Sequence, residues 1–323
     1  MKKDKLIIFG PWVGEFCYEL SWWVPEIRKM RNTTYKDHDA VAISFNGRKI
    51  LYEDFTQNYI PIPKELDDTL IYPATCGEHV NGRDIIPQNI RDFVGEVVKK
   101  YEEQYNEVVV YTPNNNIPFN YQRVMSDEIF GELKHYNASP TIISEIKKEI
   151  TFNNNRKTIA IMARIRHRLG KVCHLDWNPK HWETFIKYLI EDLKVNVVMI
   201  GIRQKENSSA GGSLVFNNSK YIKNIIFEGE DSVERQIALL QSTQCSIYGA
   251  SGTAVFPFFT QTPTFTQQTV EEGYRLKFKW ERELSNNLKN IKITDKYSKG
   301  HLWDSPPEEL YEEFKEFYIN LGV

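Results

Sequence analysis

At 323 residues the chain exceeds what one hydrophobic core commonly organises and implies two domains of about 150 residues each. A hydrophobic share of 41% with 26% charged residues is that of a soluble globular protein, and a formal net charge of −2 excludes a global positive field that would gather nucleic acid or anionic membrane. The cysteines Cys17, Cys76, Cys173 and Cys245 form no CxxC pair, which argues against a structural zinc site and fits a reducing compartment.

Leu6 to Phe9 is a short β-type run. It is too brief for the apolar core of a signal peptide, and no stretch approaches the ~20 apolar residues of a membrane span, so a cytoplasmic protein without a transmembrane segment is expected. The run enters a loop, Gly10-Pro11-Trp12-Val13-Gly14-Glu15-Phe16, and then a helix with Leu20, Trp23, Val24, Ile27 and Met30 on one stripe. Glu15 and Glu19 fall at the loop and the first helical turn, with Trp12, Tyr18 and Trp22 nearby. Two readings stand side by side. Aromatic faces and a carboxylate would suit a cleft wall that binds a sugar or base and moves a proton. Alternatively the tryptophans are core and the glutamates favour a helix N-terminus through the macrodipole.

Ala40 to Phe45 is predicted as a second strand and Thr69 to Tyr72 as a third, with an irregular connection holding Pro61 and Pro63. Pro87 to Tyr105 is a helix with one apolar stripe, and Val108 to Tyr111 a fourth strand. Thr112 to Asn120 is a loop with Asn and Pro as breakers, and Pro140 to Ile150 a helix. Asn153-Asn154-Asn155 reads as the linker to the second half.

Thr158 to Ala163 is a fully apolar run, too short for a buried helix, and reads as a central parallel strand. It breaks into Arg164, Arg166, Arg168 and Lys171 within eight residues. Ligands of open α/β sheets bind outside the carboxyl ends of strands, so these cations stand where an anion would bind. A merely solvated loop is the alternative. Asn178 and Pro179 open a strong amphipathic helix through Trp182, Phe185, Ile186, Leu189, Ile190 and Leu193.

Strands follow at Val195 to Ile200, ending in Gly201, and at Ile222 to Phe227, ending in Glu228-Gly229-Glu230. Asp231 caps a helix, and Cys245 to Tyr248 is a strand running into Gly249-Ala250-Ser251-Gly252-Thr253. A helix with Val255, Phe256 and Phe259 comes next, then a short strand at Pro263 to Phe265. Ser305-Pro306-Pro307-Glu308 forms a capping box before a last helix. Alternating strands and helices in each half imply an α/β fold with parallel sheets.

Exposed N–H groups at a glycine- and serine-bearing helix start favour phosphate, although ordinary turn and cap duty is the bland account of Ser251, Gly252 and Thr253. With Arg164, Arg166 and Lys171 on another strand end they would neutralise a diphosphate. Glu228 and Glu230 would bond a ribose or base, or simply favour the next helix start. His167, His174 and His181 lack metal-ligand spacing, and no Asp-x-Asp is present to anchor a divalent metal.

The order of elements resembles the GT-B superfamily of glycosyltransferases. The resemblance rests on the opening FGPWVGEF, the midpoint linker, the restart TIAIMARIR, the strands VNVVMIG and NIIFEGE, the stretch YGASGTAVFPFFTQTPTF and the closing helix. The second half is most similar to metal-independent heptosyltransferase-like and fucosyltransferase-like enzymes. This resemblance implies two Rossmann-like domains with parallel sheets facing a central cleft. The domains would be 1–155 on the acceptor side, 156–304 for the nucleotide sugar, and a helix at 305–323 packing back toward the first. It implies a hexosyl- or deoxyhexosyl-type transferase that uses a nucleotide-diphosphate sugar, without cofactor or metal, and a glycan, lipid or protein acceptor.

Gly14, Arg164, Arg166, Lys171, Gly201, Glu228, Glu230, Ser251, Gly252 and Thr253 would hold the donor. Gly249 to Pro257 contains none of the paired glutamates of the retaining branch, which favours inversion. An inverting transferase needs a base, for which Glu15 is first choice, with Glu19 and Asp176 as alternatives. Two rivals remain. A GT-B-fold nucleotide-sugar epimerase would need no acceptor, and a nucleic-acid or polyanion binding module would stack bases on Trp12, Trp22 and Trp23. The net charge weighs against the second.

Overall fold

The computed structural model describes residues 2–14, 16, 19–70, 86–113, 132–165, 167–168, 171–172, 176–201, 212–249, 256–257, 259–267, 291–294 and 306–322. The chain divides into two compact units, Met1–Lys134 with Glu228–Val233, and His135–Phe227 with Glu234–Val323.

The first unit opens with β1 (Lys3–Phe9). A single π-helical turn at Glu19–Trp23 leads into α1 (Val24–Asn32). Then come β2 (Asp39–Ser44), β3 (Asn58–Pro61), α2 (Lys64–Asp67), α3 (Gln88–Glu102) and β4 (Tyr105–Tyr111). The strands lie in the order β3-β2-β1-β4, and every neighbouring pair is parallel. The alternation of β1 explains its central place. Leu6 and Ile8 enter a core with Val41, Ile43, Ile90 and Val94. On the other face the Phe9 ring meets Tyr35, Phe55 and Tyr111 edge-on at about 6 Å. A strand dry on both faces must be covered on both, as parallel sheets are.

The third strand is not where the sequence pattern put it. It is Asn58–Pro61, inside the stretch read as irregular because of its prolines. Proline withholds one ladder donor, which an edge strand tolerates, and Pro61 closes the outermost strand of this sheet among the described residues. Thr69 instead sits in the turn after α2, its N–H donating to the Leu66 carbonyl at 3.1 Å. Residues 71–72 lie outside the described residues.

The second unit contains α4 (Pro140–Glu149), capped by the Ser139 hydroxyl, and β5 (Thr158–Met162). Two-residue strands follow: β6 (Arg164–Ile165), β7 (His167–Arg168) and β8 (Lys171–Val172). Next are α5 (Pro179–Glu191), β9 (Asn196–Gly201), β10 (Gly212–Ser213) and β11 (Ile222–Ile226). The chain continues with α6 (Ser232–Gln241), β12 (Ser246–Tyr248), β13 (Thr264–Gln267), β14 (Ile291–Thr294) and α7 (Pro307–Asn320). The helix expected around Phe256 and Phe259 is confined, among the described residues, to short 3₁₀ turns, and β14 was not anticipated.

The main sheet has the order β11-β9-β5-β12-β13-β14, parallel throughout. In chain order its strands run third, second, first, fourth, fifth, sixth, the doubly wound arrangement.

α5 starts as its sequence predicts: the Asn178 side chain accepts from the Lys180 N–H at 3.0 Å, with Pro179 in the first turn. Its buried face, Trp182, Phe185, Ile186 and Leu189, packs with α7. Each such side chain contributes on the order of 2 kcal/mol by leaving water. In α7 it is Leu310, Tyr311, Phe314, Phe317 and Tyr318 that are buried, and they belong to the second unit's own core. The expected capping box rests on Ser305. Pro306 is the N-cap, without a side-chain hydrogen bond, and Ser305 lies outside the described residues. Pro307 fixes a helical φ and presents no N–H that would need a cap, while the residue before a proline is driven into the extended conformation found at Pro306.

A charged cluster ties α1 to the loop after β2. The Arg28 guanidinium donates to Asp54 at 3.0 and 3.3 Å and to the Glu132 carbonyl at 2.7 Å, and Lys134 approaches Asp54 at 3.1 Å. Burial alone would raise the Asp54 carboxyl, but the hydrogen bond and charge of Arg28, with those of Lys134, more than offset it and hold it below the ordinary value. A depressed folded pKa stabilises the fold fully above the unfolded value of about 3.9 and loses that contribution as pH falls through the lower folded value. Asp54→Asn is therefore expected to lower the melting temperature at pH 7 and to flatten its fall below about pH 4. Thermal unfolding followed across that range checks it, and an unchanged acid limb would contradict the assignment.

Candidate functional site

The two ends of the basic stretch Arg164 to Lys171 now have places. β5 and β12 are neighbours at the point where the strand order reverses, and their carboxyl ends deliver Ala163-Arg164 and Gly249. The Gly249 N–H donates to the Met162 carbonyl at 2.9 Å. A Cβ at Gly249 would stand 3.2 Å from Trp182 Cζ2, 3.5 Å from the Met162 oxygen and 3.6 Å from the Arg164 nitrogen. A side chain here would press on the Trp182 ring, while the Met162 oxygen and the Arg164 nitrogen would stand at ordinary contact distance. Crossovers leave such a point toward opposite faces of the sheet, which opens a crevice at this edge.

The described parts of the basic stretch are extended. Arg164 and Ile165 pair antiparallel with Ser213 and Gly212, and the Leu214 N–H donates to the Ala163 carbonyl at 2.7 Å. His167-Arg168 pairs antiparallel with Val172-Lys171 as a small hairpin. The Arg164 side chain is half-buried. Arg166, Ser251, Gly252 and Thr253, together with the side chains of Arg168 and Lys171, lie outside the described residues.

The remaining donor-side candidates separate. Gly201 ends β9 against β11, and a Cβ there would stand 2.6 Å from Ile226 Cγ1, so strand packing accounts for it. Glu228 and Glu230 are exposed and belong to the short segment grouped with the first unit. Asp176 is 8% exposed and precedes Trp177, whose ring stands 4.9 Å from that of Trp182.

In the first unit β1 and β4 flank the corresponding reversal. The Gly10 N–H donates to the Tyr111 carbonyl at 2.9 Å, and the Trp12 N–H to the Ile43 carbonyl at 3.0 Å. Gly10 has φ +121°, and a Cβ on it would stand 2.4 Å from the Ile43 oxygen, so only glycine fits this turn. Gly14 is buried and Glu15 lies outside the described residues.

Glu19 is fully buried. Its Oε1 accepts from the Ser44 and Tyr52 hydroxyls and its Oε2 from Arg48 Nη1. The Arg48 guanidinium lies 4.4 Å from the Phe45 ring centre and 5.2 Å from that of Phe16. Burial raises Tyr52 far above the ordinary phenol value, and the Glu19 charge adds to it. For Arg48, burial pulls the other way, yet the Glu19 charge and hydrogen bond leave its pKa raised, so it stays cationic. This arrangement leaves Glu19 no free face with which to take a proton from a substrate.

The tryptophans are not platforms for a ligand. Trp12, Trp22 and Trp23 are each at most 1% exposed. Trp12 stacks on Trp23 at 5.8 Å, and Trp23 on Tyr111 at 6.2 Å. Their adjacency to a loop reflects packing beneath it, which removes the stacking surface that a nucleic-acid module would need. Sequence reading also missed Ser44, Arg48 and Tyr52. The available signal was positional: Ser44 ends β2, and Phe45-Asn46-Gly47-Arg48 follows the carboxyl end of that strand.

Among the described residues no group of three His, Cys, Asp or Glu side chains is placed to hold a metal ion, and no helix is long and apolar enough to cross a membrane.

No protein-family model matches the sequence, and no curated protein matches it significantly. Solved structures do match in shape. The E. coli ADP-heptose LPS heptosyltransferase II superposes with a TM-score of 0.54 at 14% identity, covering 99% of this chain and 100% of that one. A glycosyl transferase family 9 protein from Veillonella parvula gives 0.52 at 10% identity over 99% and 98% of the two chains. The E. coli heptosyltransferase WaaC with ADP gives 0.50 at 9% identity over 97% and 99%.

The fold is GT-B.

Its two Rossmann-like domains are the two α/β sheets described above. Within this GT-B chain, Gly249→Ala tests the close approach at the reversal. Trp182 is held by Trp177 and Phe185 and has no room to yield. The substitution is expected to cost about 1–3 kcal/mol of stability, as overpacking of a dense core does. Chemical denaturation measures it, and a stability equal to wild type would show that the reversal is looser than drawn.

Proposed function

We propose that the chain is a glycosyltransferase that moves a sugar from a nucleotide-diphosphate sugar to an acceptor hydroxyl, by inversion and without a metal. The observation that carries this reading is the adjacency of Arg164 and Gly249 at the reversal point of a doubly wound GT-B sheet. In this reading the first half receives a glycan, lipid or protein acceptor and the second half binds the donor. Arg164, Arg166 and Lys171, with the N–H groups of Ser251, Gly252 and Thr253, meet the diphosphate. Charge grows on that leaving group in the transition state, so fixed cations and N–H dipoles stabilise it more than the ground state. Glu15 takes the proton of the acceptor hydroxyl, with Asp176 as the alternative; the three donors to Glu19 withdraw it from that role. The solved structures of similar fold include proteins whose names carry ADP-heptose, so an ADP-linked sugar heads the donors to be tried, ahead of hexosyl and deoxyhexosyl donors.

Calorimetry with ADP, GDP and UDP, and then with the corresponding sugars, is expected to find one nucleoside diphosphate that binds. Arg164→Ala and Arg166→Ala should each weaken it roughly tenfold to a hundredfold, the worth of a charge-assisted hydrogen bond. Binding unaffected by either substitution would remove the diphosphate clamp. With the matched donor and acceptor, Glu15→Gln should abolish most turnover, while addition of EDTA should leave the rate unchanged. Turnover preserved in Glu15→Gln would transfer the base role elsewhere. Epimerised donor formed without acceptor would mark an epimerase instead.

A further inference from the structure

The buried Glu19–Arg48 pair is larger and more costly than a fold needs. A carboxylate and a guanidinium removed from water lose several kcal/mol of hydration each, and apolar side chains of similar volume often serve stability equally well. What the pair adds is geometry. Glu19 accepts three hydrogen bonds, from Ser44, Tyr52 and Arg48, and these fix the Arg48 side chain from below. The guanidinium carbon then lies over two rings, 4.4 Å from the centre of Phe45 and 5.2 Å from that of Phe16. Its side chain retains 17% exposure while that of Glu19 has none. Phe16 is the residue next to Glu15. At the start of the same loop, Gly10 and Trp12 are held by backbone bonds to Tyr111 and Ile43. Gly10 and Trp12 are thus fastened through their backbone, and Phe16 lies against one cation.

We infer that Arg48, oriented by Glu19, is a positioning residue that fixes the segment 10–16 for the proton transfer of the reaction. The inference rests on the function proposed above, and it converts Glu19 from a candidate base into the support of the residue that holds the base's neighbour. Arginine suits this place because one guanidinium both lies over two rings and donates to a carboxylate, which a compact lysine ammonium does less well from one position.

The tests are Arg48→Lys, which keeps the charge, and Phe16→Leu, which removes one ring and leaves the buried pair intact. Hydrogen–deuterium exchange of the peptide covering residues 10–16 is expected to quicken in both, with exchange in β2 unchanged. At saturating donor and acceptor, kcat is expected to fall roughly tenfold to a hundredfold, the scale of an ångström's misplacement. Donor affinity by calorimetry should stay at its wild-type value, because only the loop has moved. A general loss of fold would instead lower donor binding and accelerate exchange throughout. If Arg48→Lys does not fold, Phe16→Leu carries the comparison alone. Unchanged exchange in the 10–16 peptide, or undiminished kcat per folded molecule, overturns the inference. If the wild-type protein transfers no sugar from any donor, the function reading falls, while the exchange comparison still decides whether Arg48 fastens the loop.

Discussion

The central strands β5 and β12 are dry on their two faces, and this decides where polar chemistry can stand. In β5, Ile159 to Met162 are at most 1% exposed, as is Ala163 after it, and β12 is fully buried. Nothing charged could sit along such strands without a heavy desolvation cost. Polarity can begin only where the strands end, and it does so at once, with Arg164 after Ala163 and Gly249 after Tyr248. The parallel arrangement sends all these ends to one edge, and the reversal of order between β5 and β12 keeps helices from covering that edge there. The first unit obeys the same rule at β1 and β4, where Gly10 turns the chain against the ends of its neighbours.

The two units fill these edges differently. The second brings Arg164 and Gly249 together at its reversal. The first has a carboxylate held below its loop by three donors, and a wedge of aromatic rings beneath. Trp12, Trp23 and Tyr111 form a continuous stack, with Trp22 edge-on to Trp12. Rings of this size are stiff and leave few rotamers, so a loop resting on them inherits their rigidity. The burial of Glu19 follows the same logic at a higher energetic cost. A carboxylate is admitted to a dry interior only with its oxygens hydrogen-bonded, and here Ser44, Tyr52 and Arg48 donate to both of them.

Much of the architecture was legible because burial on two faces leaves a plain mark. The run Thr158 to Ala163 and the stripe from Trp182 to Leu193 each admit one reading of period and length. What stayed hidden depends on direction or on partners far along the chain. Spacing places Trp12 and Trp22 near a loop but says nothing of whether they point beneath it or out of it. β3 was passed over because proline penalises a strand only when neighbours lie on both sides, and whether they do is a property of the sheet. At the sites, the pairing of Arg164 with the Gly249 turn could be inferred from strand ends. Glu19 was misread because its partners Ser44, Arg48 and Tyr52 lie 25 or more residues away.

The same constraint explains how the chain keeps a whole fold with so little shared sequence. A dry strand accepts valine, isoleucine or leucine in almost any order, provided volume is conserved, so identity can fall to 14% while 99% of the chain still superposes. The few positions that cannot drift are those fixed by close approach, such as Gly10 under the Ile43 carbonyl and Gly249 beside Trp182. These secure the edge but say nothing about what binds there. Function must then reside in the residues just beyond the glycines, which are free to vary without disturbing the sheet. In the function proposed above Arg164 is one of these, and Phe16, beside Arg48, is another. The likeness of the fold to others constrains where such strand-end side chains stand more than which residues they are.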